Sequence, residues 1–498
     1  MKKLVFVFTI AVTFLPSPGL ANPPQKSPPQ RPNIVIMLAD DMGYGDLAIQ
    51  NPDSKIPTPH MDRLAQSGMR LTDAHSSSGI CTPSRYALLQ GRYHWRKFHG
   101  IVNPFDPPVL DRDRVTLPSM LKAKGYRTAC IGKWHLGWDW NAIKREGAKP
   151  GKGGYTSSDF DWTKRIPGGP LDFGFDSYFG DDVPNFPPYT WFENDRVLTA
   201  PTENLNTKVR PKEGSLETRG GPAVKDWDFY AVMPTLTKKA VEWIGQQKAD
   251  EPFFLYFPFT SPHAPIVPSQ ENQGKSKANG YGDYVAQTDA TVGAVMKALK
   301  DRGLDQNTLV IFTSDNGPEN YAYARVKNFQ HRSMGPLRGV KRDLWEGGHR
   351  VPMIASWSNV IPAGKVSDAL FSHVDIYATL ASVVDSEIAK RSAEDSINQL
   401  PLLLERKTVL RESIVHNTQA NGYAIRHQNW VLIDAKTGGI TGVPKWYDES
   451  QGYKANESQG ELYNLKDDLA EKNNLYDAKP EKVAELKAML EAIRKPRD

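Results

Sequence analysis

The stretch Asn33 to Leu38 is apolar at nearly every position and runs straight into Asp40-Asp41. A strand of that kind has to be covered on both faces, as in a parallel sheet between two helical layers, whereas a strand with one wet face alternates apolar and polar residues. The runs Thr128 to Ile131, Pro252 to Phe259 and Thr308 to Thr313 repeat the theme. Helix-like segments separate them. Thr58-Pro59 supplies a cap and a first-turn proline for a helix through about Ser67 closed by Gly68, and Thr116 to Lys124 repeats that grammar before Gly125. Met233 to Gln247 and Tyr284 to Asp301 follow, the latter with Val285, Val292, Val295, Met296 and Leu299 along one stripe. Strands alternating with helices predict an α/β fold: a large, mixed, mostly parallel sheet flanked by helices.

Where the strands stop matters more than where they start, because ligands of an open α/β sheet gather beyond the carboxyl ends of its strands. Four of these runs end in polar clusters: Asp40-Asp41, Lys133-Trp134-His135, His263 and Asp315-Asn316. Taken singly, Asp-Asp and Asp-Asn-Gly are ordinary turn chemistry. Taken together they are expected to converge on one site. Asp40, Asp41, Asp315 and Asn316 are hard oxygen donors without the Cys/His set that suits zinc, so they fit one calcium ion, with magnesium the alternative.

A possible nucleophile lies in Cys81-Thr82-Pro83-Ser84-Arg85. Pro83 suits the first turn of a helix continuing to Gln90, which puts Cys81 at the N-cap, where free N–H groups favour an anion. Arg85 follows one turn on, on the same side, able to hold an anionic group in a fixed fork. This motif resembles the signature of type I sulfatases of the alkaline phosphatase superfamily, in which a separate maturation enzyme oxidises the cysteine to formylglycine. The resemblance extends to Gly132-Lys133-Trp134-His135-Leu136-Gly137, to Ser261-Pro262-His263, to Gly339-Val340-Lys341 before Trp345-Glu346-Gly347-Gly348, and to Glu461-Leu462-Tyr463-Asn464-Leu465, and so spans about Asn33 to Leu475.

The resemblance implies a sulfuric ester hydrolase. Asp40, Asp41, Asp315 and Asn316 would hold the cation, with position 81 completing its shell. Arg85, Lys133 and Lys341 would neutralise the sulfuryl oxygens, His263 or Lys341 would protonate the leaving oxygen, and His135 would take the proton that lets sulfate depart. Two other readings stand beside it: a phosphoester or phosphonate hydrolase of the same superfamily, and a non-catalytic binder of sulfated glycans whose Cys81 is never matured.

Lys2-Lys3, the apolar run Leu4 to Leu15 and the small residues Gly19 to Ala21 read as a signal peptide over residues 1–21, with a Pro-rich lead-in over 22–32. Periplasmic or extracellular export is expected, without a membrane span. The only cysteines are Cys81 and Cys130, so no disulfide framework exists; Cys130, in an apolar run, is expected in the core, and a single Cys81–Cys130 bridge is the plain alternative. The formal charge of +5 permits an anionic substrate without demanding one, and no nucleic-acid motif is present. A catalytic domain is expected over 33–385. A polar connection over 386–400 leads to a C-terminal α+β unit over 401–498, with strands near Ser413, Gly422 and Trp430 and a helix from Pro480 to Arg494.

The long Gly-, Pro- and aromatic-rich stretch from Trp138 to Val232 is where substrate choice is expected to reside. A sulfated carbohydrate is the expected partner, with Tyr189 and Trp191 as stacking aromatics, packing of the loop on itself being the other role open to its aromatics, and His94, His331 and His349 as further pocket residues.

Overall fold

A computed structural model describes residues 31–205, 218–418 and 422–496. The expected signal peptide and nearly all of the lead-in lie outside the described residues.

The first strand, Asn33–Ala39, is the centre of the molecule. It pairs in parallel with Phe253–Pro258 on one side and Thr308–Ser314 on the other. The ten-stranded sheet runs in the order Lys365–Ser367, Met69–Leu71, Met353–Ser356, Thr308–Ser314, Asn33–Ala39, Phe253–Pro258, Arg127–Lys133, Ser177–Asp182, Phe192–Glu193 and Arg196–Val197. The five strands from Thr308–Ser314 to Ser177–Asp182 are parallel, and antiparallel pairings appear only outside them. The continuous apolar run is explained by alternation across two cores. Ile34, Ile36 and Leu38 pack with Tyr86, Leu117 and Leu380, while Val35, Met37 and Ala39 pack with Leu64, Leu236 and Val292. Helices cover both faces, and all five parallel strands present their carboxyl ends at one edge.

Three local expectations change. The helix expected through about Ser67 and closed by Gly68 is Pro59–Gln66, capped by Ser67. Gly68 has a packing role instead, since a Cβ there would lie 2.3 Å from the Ala355 carbonyl oxygen. The nucleophile helix is Cys81–Gln90 with Ile80 in the extended N-cap position, so Cys81 is the first helical residue and not the cap. Its side chain therefore leaves the helix one residue further in than expected. Finally, Cys81 and Cys130 are both free and buried, so the alternative bridge is absent.

A four-stranded antiparallel sheet, Ser413–Asn417, Tyr423–His427, Trp430–Ile433 and Glu461–Asn464, forms the C-terminal part. One face takes the helix Pro480–Arg494 through Val483, Leu486 and Leu490 and also meets Ala87, Tyr93 and Trp95. Its other face meets Leu344 and Trp345, directly behind Lys341. The short helix Leu400–Leu403 buries its leucines in the core of the large sheet. No helix among the described residues is long and apolar enough to cross a membrane.

Candidate active site

Three of the parallel strands, Asn33–Ala39, Arg127–Lys133 and Thr308–Ser314, deliver charged groups to the same place. Asp40 and Asp41 follow the first strand, and the Asp315 N–H donates to the Ala39 carbonyl at 3.0 Å, setting the two acidic turns side by side. Lys133 ends its strand after Gly132, whose φ is +126° and whose Cα packs so closely on the neighbouring strand that a Cβ would stand 1.9 Å from the Pro258 carbonyl oxygen; only glycine is admitted there. The pairing register slips at this point, between Ile131 and Lys133, and the lysine turns into the site.

The resulting network is tight and buried. Lys133 Nζ donates to Asp40 Oδ2 at 2.6 Å, and Arg85 Nε and Nη2 both donate to Asp315 Oδ2, at 3.0 and 2.8 Å. Arg85 also lies 3.4 Å from Asp40 and donates to the Lys133 carbonyl at 2.9 Å. Lys341 Nζ is 2.7 Å from Asp41 Oδ1, which also accepts from Asn316 Nδ2 at 2.7 Å. His263 Nε2 stands 3.7 Å from Asp41 Oδ2. The structure thus brings together every residue assigned to the catalytic and metal sets.

Burial makes these pairings decisive. For Asp40, burial alone would raise its pKa, but Lys133, His263, Arg85 and Lys341 outweigh it and hold the carboxyl well below its usual range. Burial, assisted by neighbouring Asp40, pushes Asp315 up to about 7. Burial would lower Lys341, yet Asp41 and the other anionic groups around it raise it, so its ammonium form persists. The Cys81 thiol is pushed up by burial against the pull of Lys133 and Lys341. As a plain thiol it is a poor nucleophile near neutrality, because the reactive species is the thiolate.

Two oxygens in this network, Asp40 Oδ1 and Asn316 Oδ1, are buried without a hydrogen-bond partner among the described residues. Asp40, Asp41 and His263 offer donor atoms within 4.8 Å of one another. Unpartnered buried oxygens in an otherwise all-oxygen set of Asp40, Asp41, Asp315 and Asn316 fit a hard divalent cation.

Above the network is a pocket of about 270 Å³ with Cys81, His135, His263 and Lys341 in its walls. Arg85 and Lys133 lie beneath it, fully buried. His135, at φ 54°, directs Nε2 to the Val102 carbonyl at 2.9 Å; that bond puts the ring hydrogen on Nε2 and leaves Nδ1, which has no partner among the described residues, as a base. The pocket also uses residues that the motifs did not reveal: Asn185, Phe186, Arg219, Glu319 and Arg342. Arg342 forms a two-point pair with Glu319 at 2.7 and 2.6 Å. Its position next to Lys341 was the one available signal; Asn185 and Arg219 come from the long connection, where no pattern marks them.

The residues expected to contact substrate lie elsewhere. His94 is buried against Asn417, and His331 is bonded to Asp46 at 2.7 Å. His349 belongs to a separate buried histidine cluster. Trp191 is packed between Phe179 and Trp227, with ring centroids 5.1 Å from each. Tyr189 is buried, its hydroxyl donating to the carbonyls of Asn185 and Arg219 at 3.0 and 2.6 Å. It therefore supports two pocket residues without lining the pocket. For Tyr189 and Trp191, burial of the ring in the protein's own core competes with, and displaces, a role in sugar stacking.

The family profile described as Sulfatase matches residues 32–386. Over 494 residues the chain is 34% identical to an N-acetylgalactosamine-6-O-sulfatase of Bacteroides thetaiotaomicron, covering 93% of each chain, and over 392 residues it is 34% identical to human arylsulfatase A, covering 77% of this chain and 70% of that one. A solved sulfatase structure concerned with glycosaminoglycan metabolism by Bacteroides thetaiotaomicron superimposes with a TM-score of 0.79 at 31% identity, over 94% of this chain and all of the other. The chain belongs to the sulfatase family and is a sulfuric ester hydrolase.

Proposed function

We propose that this chain is an exported sulfatase that removes a sulfate ester from a sulfated carbohydrate, with the 6-O-sulfate of an N-acetylgalactosamine unit as its first substrate class. It would use formylglycine formed from Cys81 and one calcium ion held by Asp40, Asp41, Asp315 and Asn316. The observation that carries the reading is Cys81 at the wall of a pocket whose other polar walls are His135, His263 and Lys341, above buried Arg85 and Lys133. The names of two relatives supply the sugar.

When present, a formylglycine hydrate supplies a geminal diol, one hydroxyl to attack sulfur and one to expel sulfate, and the cation supplies Lewis-acid polarisation. The chain's own residues do the rest. Lys341, an ammonium at the pocket wall, meets negative charge on the sulfuryl oxygens and stands ready to protonate the leaving sugar oxygen. His263 shares that wall. Burial lowers its pKa to about 4, with Lys341 adding to the effect, so it is a neutral imidazole near pH 7. Lys341 is the better-supplied donor of the two. His135 Nδ1, already oriented by the Val102 carbonyl, accepts the proton in the sulfate-releasing half of the reaction. Arg85 and Lys133 hold Asp315 and Asp40 in place from below.

A panel of sulfated saccharides differing in sugar and sulfate position, run beside an aryl sulfate and an aryl phosphate, tests this reading. Preferred turnover of a 6-O-sulfated N-acetylgalactosamine saccharide is the expected result. Turnover of the aryl sulfate with none of the saccharides would overturn the carbohydrate assignment, and preference for phosphate would move the chain to the phosphoester reading.

A further inference from the structure

The pocket wall holds a carboxylate that the steps of sulfate release do not use, Glu319, beside Lys341 and Arg342. Glu319 accepts from Arg342 Nη1 and Nη2 at 2.7 and 2.6 Å and from the Asn320 N–H at 2.8 Å, and its Oε2 stands 3.9 Å from Lys341 Nζ. Only 14% of its side chain is exposed. Burial would raise its pKa, but the Arg342 bonds and the Lys341 ammonium outweigh it and bring it down to about 2, so it is charged throughout the neutral range.

The backbone fixes this arrangement from two sides. The Lys341 N–H donates to the Pro318 carbonyl and the Arg342 N–H to the Gly79 carbonyl, both at 2.8 Å, which ties the segment to the turn bearing Glu319 and to the approach to Cys81. Arg342 has a φ of +79°, a left-handed conformation uncommon outside glycine, and the consecutive side chains of Lys341 and Arg342 both enter the same wall. A pair that served only to brace the loop could sit on its outer face. This pair lies where the ester binds.

A carboxylate in that position acts unequally on different esters. A sulfate monoester carries one negative charge near neutrality, whereas a phosphate monoester of the same shape carries nearly two. Cations alone would attract the doubly charged ester more strongly, because Coulomb energy scales with the charge of the ligand. Glu319 subtracts from that attraction in the same proportion. An ester oxygen paired with Lys341 at the usual distance of about 2.8 Å lies no more than about 7 Å from Glu319 Oε2, given the 3.9 Å between that oxygen and Lys341 Nζ.

We propose that Glu319 is a specificity-determining residue that selects esters by charge, lowering the advantage of a dianion at the Lys341 wall so that singly charged sulfate esters are accepted and phosphate monoesters are turned away. Discrimination of this kind comes from a feature unfavourable to the competitor rather than from a further contact with the substrate. Arg342 keeps the carboxylate from being costly to hold near Asp41, since its guanidinium remains charged under the influence of Glu319, Asp41 and Cys81. The proposal rests on the sulfatase reaction and not on the sugar assigned above, so failure of the saccharide panel leaves it standing.

The test compares nitrophenyl sulfate, nitrophenyl methylphosphonate and nitrophenyl phosphate at about pH 8, where the first two carry one charge and the third carries two. Ratios of kcat/KM taken on one preparation cancel the fraction of matured or folded enzyme, so a poorly folding variant is still readable. In Glu319→Gln the sulfate-to-phosphate ratio is expected to fall on the order of 10-fold, the effect of one unit of charge over about 7 Å at an effective dielectric of about 20 to 40, with the sulfate-to-phosphonate ratio unchanged. Arg342→Gln removes the opposite charge and should raise the sulfate-to-phosphate ratio, and the double variant should return it toward the wild-type value. Lys341, Arg219 and the oxygen donors below are the same in every variant, so these shifts isolate the pair. Where phosphate turnover is too slow to measure, competitive inhibition of the aryl sulfate by methylphosphonate and by methanesulfonate, of like shape but different charge, supplies the same ratio. An unchanged sulfate-to-phosphate ratio in Glu319→Gln, equal movement of phosphonate and phosphate, or movement of both single variants in the same direction would overturn the proposal and leave the pair as a brace for the loop.

Discussion

The role given to Lys341 can be separated from that of His263 by changing each and comparing leaving groups. Both line the pocket beside Asp41, but the lysine is 2.7 Å from that carboxylate and keeps its ammonium, whereas the imidazole stands 3.7 Å away with a lowered pKa. A sugar alkoxide is a poor leaving group and needs a proton as the S–O bond breaks; a nitrophenolate does not. Removing a general acid costs roughly 10²–10⁴ in rate, or about 2.7–5.4 kcal/mol of transition-state stabilisation. In Lys341→Met that whole loss is expected in kcat for a sulfated saccharide. For nitrophenyl sulfate only the electrostatic share remains, so the loss there is expected to be smaller than for the saccharide. His263→Asn is expected to reduce both substrates by similar factors. Steady-state kcat and KM on the two substrates give the comparison, with circular dichroism confirming that each variant is folded. The substitution also strips Asp41 of its closest cation, a type of loss that costs about 3–5 kcal/mol for a fully buried pair; Asn316 still donates to Asp41 at 2.7 Å and limits the damage. Equal losses on both esters for Lys341→Met, with a selective loss for His263→Asn, would refute the assignment and make the histidine the donor.

The other expected outcomes are more direct. Active protein should carry an aldehyde in place of the Cys81 thiol, seen as a mass change in the peptide containing Cys81-Thr82-Pro83-Ser84-Arg85; full activity with only unmodified cysteine would rule out the nucleophile. A calcium chelator should abolish turnover and added calcium should restore it, while Asp315→Asn should not recover; undiminished activity of metal-stripped Asp315→Asn would remove calcium from the site. Tyr189→Phe deletes hydroxyl bonds to the carbonyls of Asn185 and Arg219, worth about 1–2 kcal/mol together. It should raise KM for the saccharide several-fold, on the order of that energy, and leave aryl sulfate unchanged. Trp191→Phe, by contrast, should show no preference between the two substrates, and a saccharide-selective loss there would restore the stacking role.

The strands that carry the site were legible because burial on both faces leaves an unmistakable apolar run, and Asn33 to Leu38 needed no context to be read. Edge strands of three residues such as Met69–Leu71 and Lys365–Ser367 were not, since too few positions are available to show a period. The strand Ser177–Asp182 was hidden for another reason: it lies in a stretch whose glycines, prolines and aromatics read as loop, and it is held by pairing with Arg127–Lys133 rather than by its own pattern. The catalytic set was visible through motifs, each tied to the end of a strand. The pocket wall was not, because Asn185 and Arg219 reach it from a connection whose path is set by tertiary packing. That packing also explains the misplaced aromatics. A tryptophan at 191 has the chemistry to stack on a sugar, but Phe179 and Trp227 offer it two protein rings at contact distance.

The modest net charge of the chain conceals a strongly organised local field. Asp40, Asp41 and Asp315 face Arg85, Lys133 and Lys341, three formal anions against three cations, all buried. These charges cancel when summed, so attraction for a sulfate ester cannot come from a surplus of positive residues on this network. It has to come from direction. Lys133 and Arg85 are committed below the pocket to carboxylates that they fix in place, and Lys341 alone of the three cations reaches the wall where an ester would lie. Arg342, beside it, is tied to Glu319 in a two-point pair. A site built in this way is inexpensive to keep folded without substrate, because nearly every buried charge already has a partner, and it reserves its few unpartnered atoms, Asp40 Oδ1, Asn316 Oδ1 and His135 Nδ1, for the cation and the proton that the reaction requires.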